Sequence, residues 1–315
     1  MDKFQSHNGF ARTFKANTLT LGLGFPLESY AGSFPRMDLD EQMLLAKKAE
    51  ILGFASLFVR DSPLYDPNFG DVGALYDPWV FLAYVAAHTD RVALGTSSIV
   101  TTLRHPLHVA KSAASLDTIS NQRLLLGAAT GDRPIEFPVF KVDDHEKAVL
   151  FRESIVVMKQ VWQESFPQIQ TERVDMLQGD VVPKPMLSDI PILGTGYSGQ
   201  TIDWLAKHTD GWFFYSQGVN EQRELVKKWR EAAGEFKPFA QALAIDLSEN
   251  PNEAPKPIKG GFRAGYKFVI DYLHAYQDAG VNHVMFGLKN SKRPAAEVIQ
   301  ELGEYVVPHF PTNTR

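Results

Sequence analysis

The string Gly194-Thr195-Gly196-Tyr197-Ser198-Gly199 packs three glycines into six residues, and Thr201 follows two positions later. Glycine lets a backbone approach a ligand closely. The hydroxyls of Ser198 and Thr201 stand where a helix is expected to begin, with its unpaired N–H groups pointing outward. That donor set suits an anion such as a phosphate. The same residues also suit a glycine-rich turn with an ordinary serine N-cap. Asp61, just ahead of Ser62-Pro63, reads first as a turn aspartate and second as a general base or ligand anchor.

Other chemistries are excluded or demoted. The chain has no cysteine, which removes thiolate nucleophiles, disulfides and cysteine-ligated metal or iron–sulfur sites. No G-x-S-x-G elbow is present, since Gly196 to Gly199 breaks its spacing, so hydrolysis through an activated serine is disfavoured. His105 precedes Pro106 and is pushed to an extended conformation just before a helix whose first turn carries His108. That spacing is not a metal pair. The run Asp143, Asp144, His145, Glu146 reads as a solvated helix start, and no H-E-x-x-H occurs, so no metal is expected.

The elements that must position these residues follow a rhythm. From Thr18 onward, short apolar runs alternate with helix-period segments, as consecutive βα units around a parallel sheet do. Strands are expected at 18–25, 55–60, 91–100, 124–128, 190–193, 212–215, 239–247 and 282–286. Helices are expected at 38–52, 77–88, from Pro106, along the stripe Phe151, Ile155, Met158 and Trp162, at 198–207, 219–233, through Val269, Leu273 and Tyr276, and at 294–305. Eight of each specify an α/β fold, a (β/α)8 TIM barrel, whose ligands bind at the C-terminal ends of the strands. The segment 166–191 is an insertion after the fourth helix with a possible hairpin of 169–173 and 176–182. The segment 248–261, with three prolines, two lysines and two glycines, has the composition of a mobile loop or lid. A doubly wound sheet would need G-x-G-x-x-G after its first strand, but Gly22 and Gly24 lie inside that strand.

The length of 315 residues permits about two domains or one large barrel, and the count of βα units selects one domain over 1–315. With 44% hydrophobic and 22% charged residues the chain can bury a sizeable core. A balance of 32 Lys and Arg against 37 Asp and Glu argues against a broad nucleic-acid surface. The opening residues have no apolar h-region and no later stretch approaches a membrane span, so a cytoplasmic protein is expected.

The strings themselves resemble the bacterial luciferase-like family of flavin-dependent oxidoreductases. The most specific stretch holds Leu94-Gly95-Thr96-Ser97-Ser98, Arg104-His105-Pro106, Ala110-Lys111, Leu116-Asp117, Ser120, Arg123 and Leu126-Gly127. Glu136-Phe137, Glu153, Trp162, Pro191-Ile192-Leu193-Gly194, Ala206 and Asp210-Gly211-Trp212-Phe213 continue the match. The resemblance implies a cis peptide at Ser97-Ser98 beneath a flavin ring, a flavin contact at Thr130, and a flavin phosphate held by the Gly196, Tyr197, Ser198 and Thr201 region. Lys147 stands where many members have an arginine that could face that phosphate. Arg104 and His105 are the polar candidates for the chemistry itself. Two departures stand out: Ser62 replaces a histidine that many relatives carry after the strand-two acid, and Ala129 replaces the reactive cysteine of the luciferase α subunit. The implied function is an FMN-using two-component monooxygenase, a homodimer taking a small organic substrate, O2 and reduced flavin from a separate reductase. F420-dependent hydride transfer and a non-catalytic flavin-binding barrel are the alternatives.

Overall fold

The computed structural model describes residues 3–27, 38–66 and 76–314. Eight strands, β1 (Thr20–Gly24), β2 (Ser56–Val59), β3 (Ala93–Thr96), β4 (Leu124–Ala129), β5 (Ile192–Thr195), β6 (Gly211–Tyr215), β7 (Phe239–Leu247) and β8 (His283–Gly287), pair parallel in chain order. The ladder closes through β8 and β1, with Thr20 opposite His283 and Gly24 opposite Gly287. This is the expected closed eight-stranded TIM barrel. Eight helices follow the strands: α1 (Leu39–Ile51), α2 (Pro78–His88), α3 (Pro106–Ile119), α4 (Lys147–Gln163), α5 (Ile202–His208), α6 (Val219–Ala233), α7 (Tyr266–Asp278) and α8 (Ala295–Glu301).

Helix starts obey local chemistry. The Asp38 carboxylate accepts from the N–H groups of Asp40 and Glu41 to begin α1, and Asp77 accepts from Trp79 and Val80 ahead of Pro78 to begin α2. The α4 stripe is core as expected, with Phe151, Ile155, Met158 and Trp162 all buried. Helix α6 ends on Gly234 at φ +66°, a left-handed cap that only glycine adopts readily.

The barrel interior is filled from two directions. Phe58, Leu125, Leu193, Phe213 and Met285 point inward, and Phe10 on a short N-terminal helix (Asn8–Thr13) packs onto them from below with the flanking Phe4 and Phe14. Gly9 N donates to Gln122 O and Arg12 to Phe54 O, which ties that helix to the N-terminal ends of β4 and β2. Bulky neighbours dictate glycine inside: a Cβ at Gly95 would lie 2.2 Å from the Phe58 ring, and one at Gly22 would lie 2.1 Å from Ser56 Oγ.

Three expectations need correction. The third strand does not run from 91 to 100; it stops at Thr96, and Ile99–Val100 pairs again with β4 beyond the cis Ser97–Ser98 bond. The fifth helix begins at Ile202, four residues later than expected, because Gly196, Ser198 and Gly199 all take positive φ and cannot continue a right-handed helix. The segment 248–261 is irregular only over 248–255. Lys256–Ile258 pairs antiparallel with Gly261–Ala264, which joins β7 in parallel and extends the sheet at its edge. The insertion hairpin is present but short, with only Ile169–Gln170 against Asp175–Met176. Its Arg173 turns away to pair with Glu153 on α4.

Candidate active site

At the C-terminal ends of the strands lies a cavity of about 420 Å3. Its walls come from the segments after β2 (Arg60, Asp61), β3 (Ser97, Ser98), β4 (Thr130 to Arg133, Glu136) and β5 (Thr195 to Ser198), with Phe213, Tyr215, Ala242 and Met285 adding apolar surface.

The Ser97–Ser98 peptide is cis, as the resemblance implies. Around it the backbone is fixed on both sides. Ser97 N donates to Val59 O at 2.7 Å, Thr96 Oγ1 donates to Gly127 O at 2.8 Å, and the Ser98 hydroxyl is bonded to that of Thr195. Gly127 permits the approach, since a Cβ there would lie 1.9 Å from Thr96 O. The following Thr102 donates to Thr130 O at 2.7 Å, so β3 and β4 enter the site as one unit.

The loop after β5 offers donors. Among the described residues, the N–H groups of Tyr197, Ser198 and Gly199 make no hydrogen bond, whereas those of Gly196 and Gln200 are used by Phe213 O and Tyr197 O. Gly196, Ser198 and Gly199 take left-handed φ, and free N–H groups on turns of this kind suit an anion. The Ser198 hydroxyl donates to Thr195 O at 2.7 Å and shapes the turn.

The charged wall centres on a pair that sequence reading did not foresee. Asp61, with its side chain 1% exposed, accepts from Arg104 Nε at 3.0 Å and from an Arg104 terminal nitrogen at 2.8 Å, and also from Val100 N at 3.0 Å. Arg104 reaches on to Asp77 at 3.2 Å. Burial alone would lower the guanidinium's pKa, but Asp61 and Asp77 outweigh it and hold the value above the ordinary range. Asp61 is therefore an ion-paired wall residue rather than a turn aspartate. Glu136 also lines the cavity. Burial pushes its carboxyl up to about 6; Arg133 opposes that rise, while the nearby Asp61 and Asp132 carboxylates add to it.

Of the residues singled out from sequence, Ser97, Ser98, Thr130, Gly196, Tyr197 and Ser198 meet on this one cavity. Four do not line it. His105 caps α3, with Nδ1 accepting from Leu107 N at 3.3 Å and Nε2 donating to Arg173 O at 2.9 Å in the insertion. Arg104 touches the site only through Asp61. Thr201 caps α5 by accepting from Trp204 N at 3.2 Å. Lys147 pairs with Asp144 at 2.6 Å and sits 5.4 Å from the centre of the Phe137 ring. Glu136 and the Asp61–Arg104 pair were missed as a group, although each follows or precedes an expected strand end where barrel ligands bind.

The barrel thus carries a cis peptide after β3, free backbone N–H groups after β5 and an ion-paired wall at one end. A family model described as luciferase-like monooxygenase matches residues 19–291, and the chain belongs to that family. An uncharacterised protein of Mycobacterium tuberculosis is 27% identical over 275 residues, 82% of this chain and 90% of that protein. The alkanal monooxygenase beta chain of Photorhabdus luminescens is 23% identical over 280 residues, 84% of this chain and 81% of that one. An F420-dependent glucose-6-phosphate dehydrogenase of Beutenbergia cavernae is 31% identical over 206 residues, 64% of this chain and 58% of that one. Among solved structures, the monooxygenase RslO1 from Streptomyces bottropensis has a TM-score of 0.80 at 19% identity, covering 92% of this chain and 99% of its own. An F420-dependent secondary alcohol dehydrogenase, in complex with an F420-acetone adduct, has a TM-score of 0.77 at 17% identity, covering 94% and 99%. Among the described residues no helix is long and apolar enough to cross a membrane.

Proposed function

We propose that this chain is the oxygenating component of a two-component, FMN-using monooxygenase, taking reduced flavin from a separate reductase and acting on a small organic substrate with O2. The observation that carries the reading is the convergence of the cis Ser97–Ser98 bond, Thr130, Tyr197 and Ser198 on one cavity, with free backbone N–H groups at Tyr197, Ser198 and the adjoining Gly199. The donor set fits a flavin phosphate: three backbone N–H groups on a left-handed turn bind an anion without a metal or a fixed positive side chain. Lys147 lies off the lining and contributes at most a distant positive charge. When bound, reduced flavin supplies the electrons that activate oxygen. The protein's own part is to seat the ring against Ser97 and Ser98, hold the phosphate on the β5 loop, and exclude water with Phe213, Met285 and Ala242. Asp61 and Arg104 position the strand-three turn through Val100 N rather than transfer protons. Homodimer formation belongs to the same proposal.

F420-dependent hydride transfer is the second reading, favoured by the 31% identity to an F420-dependent dehydrogenase. Ser62 argues against it. Its hydroxyl is buried without a partner among the described residues and stands where the resemblance expects a proton-transferring histidine. Anaerobic titration with reduced FMN and reduced F420 separates them. Tighter binding of FMN, followed by oxygen consumption on mixing with air and oxidation of a supplied sulfonate, alkane or aldehyde, supports the first. Binding of F420 alone, with no substrate-dependent oxygen consumption, overturns it.

A further inference from the structure

Among the described residues, Glu136 is the one buried acid of the cavity wall that neither pairs with a cation nor caps a helix. It opens a single helical turn (Glu136–Val139) after β4, and the residue is 1% exposed. The Leu64 backbone amide donates to its carboxyl group, yet Oε1 has no hydrogen-bond partner among the described residues. An ionised carboxylate has about four acceptor sites to satisfy, so a buried one with a bare oxygen favours the protonated form.

The charges around it are few and opposed. Arg133 and Asp132 come from its own connection, and Arg133 is already turned toward Leu64 O at 3.0 Å. Asp61 comes from the β2 end, with its charge balanced by Arg104. Phe137 beside it carries the Lys147 ammonium over its ring. Nothing in this set holds Glu136 firmly as an anion, and one more negative charge in the cavity would push it toward the acid. Reduced isoalloxazine is such a charge at neutral pH.

We propose that Glu136 is the proton-linked group of the cavity: its carboxylate takes up one proton from solvent when an anionic reduced flavin enters, and returns it when the ligand leaves. The proposal rests on the flavin reading above. No bond to the ligand forms or breaks; the proton moves only between water and a Glu136 oxygen. The linkage lets the site accept an anion without placing two negative charges together in a poorly solvated space, and it makes flavin affinity rise as pH falls through the titration of this carboxyl, whose resting value is near 6.

The test counts protons. Anaerobic calorimetric titration with reduced FMN, in buffers of different ionisation enthalpy, gives the protons taken up per flavin bound for wild type, Glu136→Gln and Glu136→Asp. The difference between wild type and Glu136→Gln reads the protons linked to this carboxyl, including its effect on the flavin's own protonation. Near pH 6, where the resting carboxyl is about half protonated, wild type should take up as much as about half a proton more than Glu136→Gln. The excess should grow as pH rises above 6, where more of the resting carboxyl is ionised, and fall away only above the raised value of the flavin-bound form; Glu136→Asp should retain part of it. Equal proton numbers in wild type and Glu136→Gln, with both binding FMN, overturn the proposal. Infrared difference spectra of the wild type settle the matter should Glu136→Gln fail to fold. A protonated-carboxyl band that grows on adding reduced FMN near pH 6.5 supports the proposal, and an unchanged band overturns it. A wild-type protein that binds neither FMN nor F420 overturns the flavin reading and this inference together; binding without a proton difference overturns this inference alone.

Discussion

At the scale of single residues, hydrogen bonding divides the hydroxyls and charges of the site by task. Arg104 and Asp61 form a buried fork whose loss would leave an uncompensated carboxylate, so Arg104→Ala should lower stability by about 3–5 kcal/mol in urea unfolding. Arg104→Lys should recover only part of that, since an ammonium cannot make the two-point contact. A change within about 0.5 kcal/mol for Arg104→Ala would remove the pair from any structural account. Thr201 is expected to behave as a cap: Thr201→Ala should cost about 1 kcal/mol of stability and leave FMN affinity within about twofold. A tenfold loss of affinity by fluorescence titration would return Thr201 to the phosphate. His283, fully buried on β8, is held neutral. Thr20 Oγ1 gives its hydrogen to Thr13 O and so accepts from Nδ1, leaving Nε2 to accept from Ser56. Burial lowers the ring's pKa to about 3, below the unfolded value near 6.5. Its contribution is therefore complete above about pH 6.5 and is lost as pH falls from there toward 3, at up to about 1.4 kcal/mol per pH unit. The stability difference between wild type and His283→Gln should narrow over that range; a difference independent of pH between 4.5 and 7 would show that the ring is not held neutral.

At the scale of elements, the passage from β3 to β4 makes the site. Thr96, the cis Ser97–Ser98 bond and the Ile99–Val100 segment lie against β4 only because residue 127 has no side chain. Gly127→Ala should force the Thr96 carbonyl away, cost about 1–3 kcal/mol, and weaken FMN binding by more than that loss of global stability can explain. Unchanged affinity in a folded Gly127→Ala protein would separate the cis turn from the flavin site. The βα units were legible in the sequence because each strand is a short apolar run and each helix an amphipathic or capped segment; α6 and β7 fall at their expected limits. The β5 loop was legible as a donor site but not as to where α5 starts, since three left-handed residues within four positions carry no periodicity. The 248–261 segment misled by composition. Prolines and lysines also suit an exposed edge hairpin, and its pairing to β7 depends on a register that no local pattern encodes. Asp61 was read first as a turn residue and Glu136 given no role for the same reason: the groups around them lie on other segments, and charge type alone does not say which acids meet a cation.

At the scale of the whole molecule, the cavity and an aromatic plug occupy opposite ends of the barrel. The open C-terminal end keeps a cavity, and its walls carry the strained turns and the buried acids. The N-terminal end is closed by Phe4, Phe10 and Phe14, which complete an interior whose strands supply glycine and alanine at several inward positions. Those small residues leave room that the plug must fill, so the short N-terminal helix belongs to the core. Phe10, 1% exposed and packed between Phe4 (tilted, 5.5 Å) and Phe14 (edge-on, 5.2 Å), is its centre. Phe10→Ala should create a cavity beneath the strands that the closed barrel cannot collapse into, and should cost about 3–5 kcal/mol. Because the loss lies below the Phe58, Leu125 and Phe213 layer, the FMN affinity of the folded fraction should stay within about twofold of wild type. Urea unfolding read beside flavin titration at low denaturant checks both halves. A stability loss below about 1 kcal/mol would mean that the plug only covers the barrel. A folded Phe10→Ala protein that no longer binds FMN would mean that the two ends are coupled through the interior layer, and the division of labour between them would fail.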